Sequence, residues 1–148
     1  MQPSQLEIQR LQRELRGYSV TNARRSIGSC ILLNFTTRSK AKNIRTKPGL
    51  LVELAKWEIR SRNIRIARSC ARPRVIDAAL VKLVGARIAG ARISDRGIEL
   101  TFDKPFTLSV SSLTPGELGP GWDRLEQWVL FGARDKVCQP VKGRIARA

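Results

Sequence analysis

The chain contains no histidine. That removes the commonest general base at neutral pH, every Ser–His or Cys–His nucleophile pair, and any zinc site with imidazole ligands. Cysteine is scarce: Cys30, Cys70 and Cys138 are far apart and form no C-x-x-C. Such an odd, dispersed set reads as reduced thiols in a reducing, cytoplasmic compartment rather than a disulfide framework. Aromatic residues are 5% of the chain and form no RNP-like array, which gives base stacking on single strands little support.

Acidic residues are few and scattered, with no paired motif for Mg²⁺ or glycoside hydrolysis. Gly85 to Gly90 lacks the G-x-G-x-x-G spacing and no P-loop is present. No helix-turn-helix, zinc-finger or KH signature is visible. The expectation is a non-enzymatic protein with no metal and no cofactor. No apolar run approaches the ~20 residues that a membrane span needs. The polar N-terminus, with Glu7, fits neither a secretory signal nor an acid-poor transit peptide.

What is present is positive charge. The 148 residues carry 28 Lys+Arg against 12 Asp+Glu, a net of +16. Residues 1–50 hold +8, residues 51–100 hold +6 and residues 101–148 hold +2, while the window 38–74 alone reaches +10. A block of one sign points to a partner surface, whereas an even spread would point to solubility. Arginine outnumbers lysine 20 to 8. Its planar fork suits phosphate and carboxylate, although GC-rich coding gives the same bias.

Two segments resemble each other. Leu15-Arg-Gly17-Tyr-Ser-Val20-Thr-Asn-Ala23-Arg24-Arg-Ser26 precedes Ile31-Leu-Leu33-Asn-Phe35, and Leu83-Val-Gly85-Ala-Arg-Ile88-Ala-Gly-Ala91-Arg92-Ile-Ser94 precedes Ile98-Glu-Leu100-Thr-Phe102. Lys47-Pro48 echoes Lys104-Pro105, and Trp57-Glu58-Ile59 echoes Trp128-Val129-Leu130. The reading is an internal duplication of helix, glycine and hairpin. Residues 1–72 would be the first half-repeat and 73–138 the second, packed as one domain, with 139–148 a basic tail.

Ser4-Gln-Leu-Glu7 is a capping box, and Ile8, Leu11 and Leu15 recur at helical spacing up to Gly17, so a helix is predicted over 5–16. Its counterpart begins after Pro73, where Val75, Ile76, Ala79, Leu80 and Leu83 form an apolar face ending at Gly85. Ile98, Leu100 and Phe102 alternate with polar residues, as do Phe106, Leu108 and Val110, which predicts two strands. Residues 113–121 read as a loop and 126–131 as a strand. The class is α+β, with antiparallel sheet and two helices.

The candidate site lies in the basic block. Lys56–Arg62 and Ile64–Arg68 read as two short strands joined at Arg62-Asn63, which would gather Arg60, Arg62, Arg65 and Arg68 on one side of a ribbon. Ile64 and Ile66 would lie opposite Arg65. Arg38, Lys40, Lys42, Arg45 and Lys47 form a loop almost without apolar residues that could fold onto an anionic surface. A charged strand face is often only solvated, and Trp57 and Trp128 sit among aliphatic residues as core anchors rather than stacking platforms. The leading expectation is a nucleic-acid-binding protein (DNA or RNA). The alternative is an interaction module with an acidic protein partner, or one that pairs with itself to form a homo-oligomer, with no membrane role in either case.

Overall fold

In a computed structural model, which describes residues 4–36, 48–118, 127–132, 137–138 and 144–147, Ser4 starts the first helix. Its hydroxyl accepts the Glu7 amide at 3.2 Å, satisfying one of the donors left free in a first turn. Helix α1 spans Gln5–Leu15 and buries Leu11 and Leu15. Helix α2 spans Pro73–Leu83, with proline in its first turn, and buries Ile76, Ala79, Leu80 and Leu83. Each of these buried leucine and isoleucine side chains contributes roughly 1.5–3 kcal/mol on leaving water.

The strands are β1 (Ser19–Arg25), β2 (Ile31–Thr36), β3 (Gly49–Val52), β4 (Lys56–Ser61), β5 (Ile64–Arg68), β6 (Ile88–Ser94), β7 (Gly97–Phe102), β8 (Phe106–Ser111), β9 (Trp128–Gly132), β10 (Val137–Cys138) and β11 (Arg144–Arg147). One sheet has the order β1-β2-β3-β9-β11-β10, the other β5-β4-β8-β7-β6. Neighbours are antiparallel except β9 and β11, which run parallel. The α+β class with antiparallel sheets and two main helices is therefore the observed one.

The two resembling segments share backbone geometry. Each main helix ends in an extended residue, Arg16 or Val84, and then in a left-handed glycine, Gly17 at φ +90° or Gly85 at φ +87°. Each leads into a strand whose register shifts at the same place, between Val20 and Asn22 in β1 and between Ile88 and Gly90 in β6. The segments then meet: Gly17 N–H donates to Ile88 C=O at 2.9 Å and Gly85 N–H to Val20 C=O at 2.8 Å. Helix α1 packs on β6 and α2 on β1, so each helix covers the other segment's strand.

Strands distant in sequence also pair: β3 is bordered by β9 from late in the chain, and β8 by β4 from before α2. Trp128 on β9 sits opposite Val52, and Trp57 on β4 sits opposite Val110. Both tryptophans are buried, at 0% and 2% exposure, within one apolar cluster. They are core anchors, as their aliphatic neighbours suggest.

Two stretches differ from the sequence reading. Pro115–Leu118 is a short helix, α3, inside the expected loop. Thr114 Oγ1 accepts the Glu117 amide at 3.2 Å while Glu117 Oε1 accepts the Thr114 amide at 3.1 Å. That is a second capping box, with proline at the first helical position. Residues 144–147, expected in a tail, form β11 against the free edge of β9, giving that strand's backbone groups partners that an open edge would lack.

Candidate nucleic-acid interface

Strands β4 and β5 pair antiparallel around Arg62-Asn63, as the spacing predicts, with Ile59 opposite Ala67 and Arg60 opposite Arg65. A register shift follows Ile59. It turns Ala67 inward (3% exposed) and leaves Ile64 72% exposed at the ribbon tip, so Ile64 is not on a buried face as alternation alone implied. An extra residue in one strand reverses the side-chain alternation beyond it.

Arg60, Arg62, Arg65 and Arg68 are all exposed, and the ladder brings them onto one ribbon. Arg62 occupies the turn with φ +56°, the one positive φ among described non-glycine residues. A left-handed conformation costs an arginine roughly 1–2 kcal/mol. The Arg62 amide donates to Pro105 C=O at 2.7 Å, which ties the tip to the β7–β8 turn. Arg60 Nε reaches Glu58 Oε1 at 2.6 Å. Among the described residues, Arg62, Arg65 and Arg68 have no acidic partner. Arg38, Lys40, Lys42, Arg45 and Lys47 lie outside the described residues.

Register extends the ribbon into a polar sheet face. One cross-strand row runs Arg92, Glu99, Ser109, Glu58, Arg68, and a second runs Thr101, Thr107, Arg60, Arg65. A third joins Ser111 to Lys56. A groove of about 680 Å³ opens here, with Lys56, Glu58, Arg65, Arg68, Cys70 and Ser111 among its lining residues. A shallower depression of about 210 Å³ adjoins it, sharing Ser109 and Ser111 and adding Arg92, Arg96 and Glu99.

Alternation along Lys56–Arg62 sets Lys56 on the face of Arg60 and Arg62, but sequence reasoning missed Arg92 and Arg96 as members of it. The signal was available for Arg92, which alternates with apolar neighbours. Its distance along the chain from Arg68 concealed that β8 and β4 bridge them.

The charges are not equally free. Lys56 Nζ binds Glu117 Oε2 at 2.5 Å. This contact, followed by the Thr114 amide and hydroxyl, draws the Glu117 carboxyl down from 4.5 to about 2. Cys30 lies elsewhere, half-buried, with its thiol donating to Glu53 C=O at 3.4 Å. Burial, then the nearby Glu53 charge, pushes that thiol's pKa up, which makes it a poor nucleophile. No group of three or more potential metal ligands occurs among the described residues, and no described helix is long and apolar enough to cross a membrane.

Comparison with family models, with curated proteins and with solved structures finds no match in any of the three.

Proposed function

We propose that this chain is a non-enzymatic, cytoplasmic nucleic-acid-binding protein that holds the phosphate backbone through the β4–β5 ribbon and the adjoining sheet face. The observation that carries the reading is the gathering of Arg62, Arg65 and Arg68 on one exposed ribbon, none of them with an acidic partner among the described residues. Arg60, opposite Arg65, is held by Glu58, so the like-charge repulsion left on the ladder lies among those three. A polyanion relieves all of these repulsions at once and releases condensed counterions. The positive charges of Arg38, Lys40, Lys42, Arg45 and Lys47 add long-range attraction. We also read the matched helix–glycine–strand geometry as the product of an internal duplication.

The reading is tested by fluorescence anisotropy with duplex and single-stranded oligonucleotides at low salt. Replacing Arg60, Arg62 and Arg65 together with Ala is expected to weaken binding across all sequences. Absence of binding to either form would overturn the reading.

A second reading, an acidic protein partner, is favoured by Ile64. This apolar residue stands 72% exposed at the end of β5, an edge strand. Edge strands with exposed apolar residues invite pairing with another chain, or with a second copy of the same one. A stoichiometric complex that survives nuclease and moderate salt selects this reading over the first.

A further inference from the structure

The groove on the β5-β4-β8 face differs in kind from the ribbon tip. It is concave, and its volume of about 680 Å³ falls within the ~300–1,000 Å³ typical of small-molecule sites. Arg60 and Arg62 are not among its lining residues. One wall is apolar, formed by Leu54, Ala55 and Leu113, and another carries the hydroxyls of Ser109 and Ser111.

Four charged side chains line the groove, and two of them are already paired. Lys56 is held by Glu117, and Glu58 by Arg60. Arg65 and Arg68 remain, with no acidic partner among the described residues. Two guanidinium groups in a groove that serine residues also line offer donors suited to a phosphate dianion, whose oxygens accept forked and single hydrogen bonds together. Leu54, Ala55 and Leu113 and the space left beyond a phosphate suit an organic body on the ligand. A bare inorganic anion would leave that wall unused.

We infer that the groove binds a nucleoside phosphomonoester, with its phosphate on Arg65 and Arg68 and its apolar face against Leu54 and Leu113. The ligand comes either from a free mononucleotide or from the 5′-phosphorylated end of a strand. The choice of a nucleoside rests on the nucleic-acid reading above, with which the groove shares Arg65 and Arg68, whereas occupancy of the groove is read separately at Cys70.

Cys70 provides the readout, since it lines the groove and is exposed. The experiment measures its alkylation rate by iodoacetamide, with peptide mapping so that each cysteine is read separately. Three probes are used at matched ionic strength: AMP, a short 5′-phosphorylated oligonucleotide and the same oligonucleotide with a 5′-hydroxyl. AMP at about ten times its Kd is expected to slow Cys70 about tenfold, because only the unliganded fraction reacts. Cys30 is expected to keep its rate. Protection by AMP identifies the free mononucleotide as sufficient, and protection by the phosphorylated oligonucleotide alone assigns the strand end; either supports the inference.

Ser111→Glu, an exposed substitution that sets a carboxylate in the groove, is expected to abolish protection by AMP while leaving the Cys30 alkylation rate and the unfolding midpoint unchanged. Arg62→Ala, outside the groove, is expected to weaken duplex binding in anisotropy and to leave protection by AMP intact. Equal alkylation with and without both phosphorylated probes overturns the inference, as does full protection in the Ser111→Glu variant. Loss of duplex binding with Cys70 protection intact would instead count against the ribbon reading alone.

Discussion

Gly17 and Gly85 hold the two segments together with one reciprocal geometry. Each sits two residues past its helix in a left-handed conformation, and each donates its amide to the segment that holds the other. Neither has close neighbours: nothing lies within 4 Å of a Cβ built on Gly17, and only Lys104 Nζ, at 3.8 Å, approaches one on Gly85. An alanine therefore meets conformational strain and no clash. Gly17→Ala and Gly85→Ala are each expected to lower stability by about 1–2 kcal/mol, read as shifted denaturant midpoints with unchanged slope. A large cost at one position and none at the other would contradict the matched geometry.

Gln127 is the one buried polar side chain, 2% exposed, among the described residues. Its Oε1 accepts the Leu113 amide at 2.5 Å and its Nε2 donates to Leu113 C=O at 2.9 Å, while its own carbonyl accepts from Glu53 and Leu54. Gln127→Met keeps the shape and removes both side-chain bonds. Leaving the Leu113 amide and carbonyl unpartnered is expected to cost about 2–4 kcal/mol, measured by thermal or chemical unfolding.

Much of this frame was legible in the sequence. The α1 cap at Ser4, the left-handed glycines, the β7–β8 alternation and the turn at Arg62-Asn63 rest on local chemistry that a single strand or helix expresses by itself. The exchange of β4 and β9 between the sheets was not legible, because strand order is decided by which apolar faces meet in space. The inward turn of Ala67 was hidden for a related reason. A register shift costs one residue and leaves no compositional mark.

The groove was illegible for the same cause. Arg65, Lys56 and Ser111 belong to three strands, and only the ladder through β4 brings them together. The short helix α3 was within reach, since Thr114-Pro115-Gly116-Glu117 repeats the Ser/Thr-x-x-Glu spacing recognised at Ser4.

The Lys56–Glu117 contact sets a pH dependence with a definite sign. The folded carboxyl, at about 2, lies below its ordinary 4.5. Its contribution is therefore fully present above the ordinary value and is lost as pH falls through it toward about 2. Both groups are substantially exposed, so the global effect is small and the local one is the better readout. A carboxyl-carbon NMR titration is expected to place the Glu117 midpoint well below the ordinary 4.5, and Lys56→Met to return it toward that value. A wild-type midpoint near 4.5 would contradict the contact.

Arg62 trades stability for charge at the ribbon tip. Glycine accepts φ +56° without a Cβ penalty, so Arg62→Gly is expected to raise stability by about 0.5–1 kcal/mol, after the added entropy of its unfolded chain is offset. The same variant is expected to bind oligonucleotides more weakly. Gains in both would show that the arginine has no part in binding.

The most direct test of the ribbon as a phosphate-binding surface is the salt dependence of duplex binding. A plot of log K against log [salt] is expected to be linear, with a slope of about −3 or steeper if Arg62, Arg65 and Arg68 each neutralise a phosphate. In the Arg62→Ala, Arg65→Ala, Arg68→Ala triple variant the slope is expected to become shallower by about three, since each lost contact removes about 0.9 from it. A slope near zero in the wild-type protein, or the same slope in the triple variant, would contradict the account.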